Sequence, residues 1–509
     1  MSGLRRQVIA NFVGRGWLGL TSIVSAPIFV HFLGVEAYGL IGLFITLFGL
    51  SNVLDLGFSA SMSRELARST ATSSSLKDER RDLVRTLEAI YWALALLLGL
   101  VTVLLAPALA TGWLHGSDLP VSTVRNAVVL IGLALTFQWP LSLYAGGLMG
   151  LQRQVLLNTI AVVMITIRYV GAIGILWIGP PSIVRFFAWQ AAAGALHTFT
   201  VVAFLWRSLP GESKPRFRAS LLRQTGRFAA GVSATSVLVI VFTQMDKVVL
   251  SHILSLKDFG YYSLATVAAT GLSFLSLAVF QAVFPHFTVL LARKDDPALR
   301  RIYHQSCQFM SAVILPIAAV IVVFSSEVMD VWTGQPDIVH NTHLVVSLLA
   351  AGTALNGLVN IPYALQLANS WTSLVLCVNL AAVPVFVPAL VLVTRWHGAI
   401  GAAWVWLLLN ASHLLVVIPL MHRRLLQGEK LRWFSQDILV PLATALAVTL
   451  TARLLLPASS SRLVTGGYLL LILGTALAAA GIATPATREW ARRLLPGGRR
   501  GIQEGSRTP

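Results

Sequence analysis

Six ionisable side chains stand inside or at the edges of long apolar runs, where a charge needs a reason. They are Arg15, Arg64, Arg168 and Lys247 among the bases, and Asp55 and Asp246 among the acids. A charge at the centre of a bilayer costs about 2.5–3.5 kcal/mol on insertion scales, so each must have a partner, a water-filled cavity or a task. Guanidinium forks and an ammonium at different depths could hold an anion, an arginine through two parallel hydrogen bonds and a lysine as a point charge. A buried aspartate whose ionisation changes with conformation could carry a coupling proton or sodium ion. The plainer readings are local. Arg15 could pair with Asp55, Arg168 could reach a polar neighbour, and Lys247 could extend toward the membrane surface while Asp246 points elsewhere. Arg64 also reads as a topological stop.

These residues are carried by an unusually apolar chain. It has 509 residues, 56% hydrophobic and 11% charged, where soluble domains are about a quarter charged. Runs of about 20 apolar residues recur, each long enough to cross a hydrocarbon core as a helix. The alternating short segments of a membrane barrel do not appear. The pattern predicts an all-α polytopic membrane protein with fourteen spans: 8–32, 38–60, 86–110, 124–149, 155–178, 183–206, 228–254, 259–290, 305–325, 343–367, 371–394, 399–421, 437–456 and 464–483. The first run contains Asn11 and Arg15 and is too long for a signal peptide.

Charge placement sets the orientation. With the N-terminus cytoplasmic, 29 of the 38 Lys and Arg fall in inner segments, six in outer loops and three within spans. That bias puts both termini inside and accounts for most of the +18 net charge as topology and contact with anionic lipid. No nucleic-acid partner is called for. In this frame Arg15 lies about 10 Å into span one at 1.5 Å per residue, Arg168 near mid-membrane and Lys247 in the outer third. Asp55 shares the depth of Arg15.

A short repeat organises the spans. "HFLGVEAYGL" begins at His31 and "HILSLKDFGYY" 221 residues later at His252. One joins spans one and two, the other spans seven and eight. An even number of spans separates them, so they face the same side, as in a parallel repeat about an axis along the membrane normal. "LAR" follows each hairpin, at Leu66–Arg68 and Leu291–Arg293. The expected organisation is an N-terminal six-helix lobe (1–206), an inter-lobe cytoplasmic linker (207–227), a C-terminal six-helix lobe (228–421), two further helices (422–483) and a basic cytoplasmic tail (484–509). His31 and His252 read as interfacial anchors, and "GGLMG" at 146–150 as a small-residue packing face.

The stretch Asn11–Arg68, with "LGVEAYGL", "LDLGFS" and "RELAR", resembles the amino-terminal signature of bacterial polysaccharide (O-antigen, Wzx-like) flippases of the multidrug/oligosaccharidyl-lipid/polysaccharide (MOP) exporter superfamily. "DKVVLSHILSLKDFGYYSLA" from Asp246 resembles the start of the second lobe, and "HGAIGAAWV" at 397–405 the turn into span twelve. The resemblance implies a two-lobe fold that carries polyprenyl-diphosphate-linked oligosaccharide from the cytoplasmic to the outer leaflet of the bacterial inner membrane. Arg15, Arg168 and Lys247 would then line a cationic cleft, with Arg64 at its entrance. Polysaccharide polymerase and chain-length machinery would be partners.

Two other functions remain open at this point. An ion-coupled multidrug antiporter could share the fold, although a cleft for cationic drugs calls for acids and aromatics rather than three bases. A membrane polymerase or ligase would need a large outer loop, and the longest, around 107–123 and 326–342, run to about 17 residues. Glu327, Asp330 and Asp337 in the second of these could serve it, or could simply reflect exclusion of bases from outer loops. No phosphate-binding GxxxxGKS loop, HExxH or CxxC pattern is present, so neither an ATPase motor nor a cofactor is expected. Cys307 and Cys377 are read as small packing residues.

Overall fold

The computed structural model describes residues 2–55, 57–72, 77–114, 116–209, 211, 214–221, 238, 241–455, 461–485 and 488. The side chains of 2–13, Arg15, 53–54 and 69–77 lie outside that description. The described residues are nearly all helical, as a bilayer demands, because a helix satisfies its backbone polar groups within one segment. Eleven helices among them are long and apolar enough to cross a membrane.

The chain divides into two compact units. The first comprises Met1–Leu264 with Leu390–Ala399, and the second Ala265–Ala389 with Ile400–Pro509. The first holds α1 (Ser2–Ser51), α2 (Phe58–Thr72), α3 (Lys77–Ala108), α4 (Val121–Gln138), α5 (Leu141–Gly150), α6 (Gln154–Ile178) and α7 (Ile183–Arg207). Helical residues 241–253 and the beginning of α8 (Leu256–Arg293) complete it. The turn expected after His31 is a break inside α1 rather than a loop. Gly34 has φ 80°, in the left-handed region that glycine enters without a Cβ clash.

Within this unit α4 packs on α3 and α7, α1 on α6, and α2 on α5. The small-residue face at 146–150 makes the last of these contacts close: a Cβ on Gly146 would lie 2.6 Å from the Ser59 carbonyl oxygen, and one on Gly150 2.5 Å from that of Ser63. Met62, Leu87, Tyr91, Trp139, Tyr144 and Leu205 form the core at this level. The segment after α7 is tied to α3. Asp82 accepts from the Arg216 backbone N–H at 2.7 Å and pairs with Arg218 at 2.7 Å.

The second unit holds the rest of α8, α9 (Asp296–Val323), α10 (Ser325–Thr333), α11 (Pro336–Ala368), most of α12 (Ser373–Leu425), α13 (Lys430–Leu454) and α14 (Arg462–Ala483). In α12, Gly398 breaks the helix at φ 57°, within the "HGAIGAAWV" turn. Residues Leu390–Ala399 around that break belong to the first unit. Asp295 caps α9 by accepting from the Ala298 backbone N–H at 3.1 Å. Helix α9 packs on α11, α13 and α14, around a core that includes Phe287, Tyr303, Ile314, Ile361, Ile418 and Trp433. Cys307 is buried in that core, whereas Cys377 is exposed on α12.

Candidate functional site

Four of the six charged residues, Arg168, Lys247, Asp246 and Asp55, are held in three different ways. Arg168, on α6, donates from Nε to Oε1 of Gln190 on α7, and its guanidinium lies 5.7 Å from the Phe44 ring centroid. The neighbouring turn is fixed by Trp189 Nε1, which donates to the Arg168 carbonyl at 2.9 Å. Gln190 is itself buried, and its carbonyl accepts from Gln138 on α4 at 3.3 Å. Arg168 therefore has a polar neighbour, but a neutral one. Among the described residues no carboxylate pairs with it, so its positive charge is oriented without being cancelled.

Lys247 is arranged in the opposite way. Its ammonium folds back on the preceding residue and sits 3.2 Å from both carboxylate oxygens of Asp246, while donating to the Thr243 carbonyl at 3.0 Å. Adjacent side chains on a helix diverge by about 100°, yet the four-carbon stem of lysine spans that angle. Tyr262, on α8, donates to Asp246 at 2.7 Å. The pair is largely buried and locally neutral, with side-chain exposures of 16% and 15%.

Asp55 sits in a cage of hydroxyls. Tyr91 donates to its Oδ1 at 2.6 Å, Ser142 to the same oxygen at 3.2 Å, and Ser59 to Oδ2 at 2.8 Å. These donors come from α3, α5 and α2, so the carboxylate ties three helices together. The side chain of Arg15 is outside the described residues. Arg64 is exposed on α2. Among the described candidates only Lys247 and Asp246 touch each other. Arg168 and Asp55 each stand in a separate network.

Two further groups of charged residues draw attention. Glu327 and Asp330 on α10, considered above as outer acids, pair with Arg453 and Arg462, the latter at 3.3 Å. They join α10 to the ends of α13 and α14. The second group went unnoticed in the sequence. Arg300, His304 and Gln308 on α9 meet Glu429, Arg432 and Asp437 at the start of α13, around a cavity of about 300 Å³. The signal was there: Pro297, Arg300, Arg301, His304, Gln305 and Gln308 form one stripe at helical spacing. Basic residues at these inner positions also follow from membrane topology alone.

The fold matches those of transport proteins. The chain resembles lipid II flippase MurJ in its inward closed conformation, with a TM-score of 0.70 and 13% identity over 96% of this chain and 99% of that one. It also resembles an inward-facing multidrug resistance MATE family transporter of the MOP superfamily, with a TM-score of 0.60 and 14% identity over 80% and 96%. The chain thus has the all-helical fold shared by these flippase and MATE structures. Its family follows from the sequence: the family model described as "Polysaccharide biosynthesis protein" matches residues 4–291, and the chain belongs to that family. A relative from Shigella flexneri, named "Putative O-antigen transporter", is 21% identical over 411 residues, covering 78% of this chain and 92% of the relative.

Proposed function

We propose that this protein carries a polyprenyl-diphosphate-linked oligosaccharide from the cytoplasmic to the outer leaflet of a bacterial inner membrane, by alternating access, for export of a surface polysaccharide. Family membership, the named Shigella relative and the flippase fold support this reading. Fourteen spans with both termini cytoplasmic fit it. The Gly34 and Gly398 breaks divide two of the eleven long helices, and span 228–254 falls partly outside the described residues. Two six-helix lobes related by a parallel repeat, followed by two extra helices, complete the proposed architecture.

The observation that carries the proposal is the uncancelled charge of Arg168. A guanidinium at mid-membrane depth that meets a neutral amide and an aromatic face, and pairs with no carboxylate among the described residues, favours a visiting anion. A lipid diphosphate supplies one, with oxygens suited to a guanidinium fork. In this reading Arg64 meets the headgroup at the entrance, Arg15 and Arg168 relay it, and Lys247 receives it when Asp246 exchanges the ammonium for another donor. The sugars follow through a wet passage while the polyprenyl chain stays in lipid. Polymerase and chain-length proteins would take the product. The test replaces Arg168 with Gln in the native host: lipid-linked oligosaccharide should accumulate on the cytoplasmic leaflet at normal protein level. Unchanged surface polymer would remove Arg168 from the path.

One observation favours ion coupling as an added feature. Asp55 has hydroxyl donors but no paired base among the described residues, which leaves its negative charge available to a coupling cation. Asp246, already paired with Lys247, is the weaker candidate.

A further inference from the structure

The cavity between α9 and α13 has a composition that the transport pathway does not use. Its floor is buried and fully engaged. His304, 2% exposed, has Nδ1 on Asp437 and Nε2 on Glu429 at 3.1 Å. A neutral imidazole has a single N–H, so one extra proton must sit on this trio, either on the ring or on a carboxylate. Gln308, also buried, donates to Asp437 at 2.9 Å. This floor locks the start of α13 to α9 and fixes the residues above it.

The walls are different. Arg300 pairs with Glu429 at 2.8 Å, and Arg432 stands 3.7 Å from the same carboxylate. One carboxylate thus faces two guanidinium groups. Arg301, Gln305 and Gln436 also line the cavity, and among the described residues none of the three has a hydrogen bond or ion pair. The pocket is net positive, with five N–H donors on Arg301 alone. Its volume of about 300 Å³ is at the low end of small-molecule sites, room for a headgroup and not for an oligosaccharide.

We propose that this pocket binds a phosphate-bearing anion of headgroup size, gripped by Arg301 and Arg432 with Gln305 and Gln436 completing its hydrogen bonds. Position and chemistry both argue for it. The cavity opens at the beginning of two membrane-crossing helices, α9 and α13, the level at which lipid headgroups lie. Guanidinium groups there match phosphate oxygens in geometry and charge. A bound anion would cross-link α9 to α13 through Arg301, which has no described partner, and Arg432, whose contact with Glu429 is long at 3.7 Å. The inference does not depend on the transported substrate, because all its residues lie on the second unit, apart from the six intramembrane charges considered above.

The test uses the full-length protein in an uncharged detergent with three probes: inorganic pyrophosphate, short-chain phosphatidylglycerol and phosphatidylcholine of the same chain length. Thermal unfolding and titration are read for the wild type, Arg301→Gln, and Arg301→Gln combined with Arg432→Gln. A rise in unfolding midpoint with phosphatidylglycerol alone supports a lipid as the source of the phosphate. A rise with pyrophosphate supports a free phosphate anion. In either case affinity should drop about tenfold in the double variant, and phosphatidylcholine should have no effect. Arg301 holds no described partner, so the single variant should fold normally, and its weaker binding decides the matter if the double variant does not fold. No response to either anion, or equal affinity in wild type and Arg301→Gln, would overturn the proposal.

Discussion

Gly260 rests on the backbone of Val35: a Cβ at Gly260 would overlap the Val35 carbonyl oxygen. The reverse contact exists 221 residues out of register. A Cβ on Gly39 would lie 2.5 Å from the carbonyl oxygen of Leu256. Val35 corresponds to Leu256 and Gly39 to Gly260 in the repeated hairpins, so each copy offers its glycine to the other's helix start. This exchange of like contacts is what a two-fold relation between duplicated hairpins would produce, and it supports the proposed repeat. The contact lies within the first compact unit.

Gly260→Ala and Gly39→Ala should therefore each destabilise the protein by about 1–3 kcal/mol, since the obstructing atoms are backbone and cannot rotate away. Gly474 on α14 has nothing within 4 Å of its would-be Cβ. Gly474→Ala should be neutral or stabilising by up to about 1 kcal/mol from helix propensity. Thermal unfolding of the three variants in detergent checks the contrast.

Arg168→Lys should lose most of the transport that Arg168→Gln loses, because an ammonium keeps the charge but not the planar fork. The expected reduction is about tenfold or more, equivalent to about 1.4 kcal/mol. Gln190→Leu should have a smaller effect, by releasing the guanidinium from its orienting amide. Rates of lipid-linked oligosaccharide turnover in reconstituted vesicles measure all three.

Asp330→Asn should lower stability by no more than about 1 kcal/mol, as an exposed ion pair does, Glu327→Gln by more because its side chain is only 18% exposed, and both should leave polymer length unchanged. Both acids already have basic partners in Arg453 and Arg462, which suits a structural link between α10 and the last two helices. Gel profiles of surface polysaccharide from each variant provide the check.

Glu429 gives a pH dependence with a definite sign. Burial acts to raise its pKa, but the hydrogen bond from Arg300 and the charge and hydrogen bond of His304 outweigh that and hold the carboxyl below its usual value. A carboxyl with a lowered pKa in the folded state contributes stability that is full above the unfolded value of about 4.3 and fades as pH falls through the folded one. Wild type should lose that increment on acidification below about pH 4.3. Glu429→Gln should lack it at neutral pH and show a flatter acid limb. Unfolding midpoints between pH 3 and pH 7 test the difference.

Much of this architecture was legible because a bilayer enforces simple rules. Apolar length located the long helices from α3 to α14, although α3 and α9 begin at Lys77 and Asp296, about nine residues before the expected spans, and the "GGLMG" stripe announced the close contact of α5 with α2. The turns near 33–37 and 395–398 are expected from glycine-bearing stretches, and each is made at a single left-handed residue, Gly34 and Gly398. Partners were harder to read. Sequence placed Arg168 at mid-membrane and could not show that Gln190 would meet it, since that depends on how α6 faces α7. The α9–α13 pocket was hidden for another reason: its arginines sit where the positive-inside rule already expects arginines, so their shared helical face carried no surprise.

The central claim is that an anionic lipid-linked glycan crosses the membrane through this protein. The most direct measurement is deletion of the gene in its native host, followed by identification of lipid-linked sugars on each leaflet and rescue with wild type or Arg168→Gln. The account predicts that a polyprenyl-diphosphate-linked oligosaccharide builds up on the cytoplasmic leaflet, clears with wild type and persists with the variant. Normal surface polysaccharide and no accumulating intermediate after deletion would contradict it.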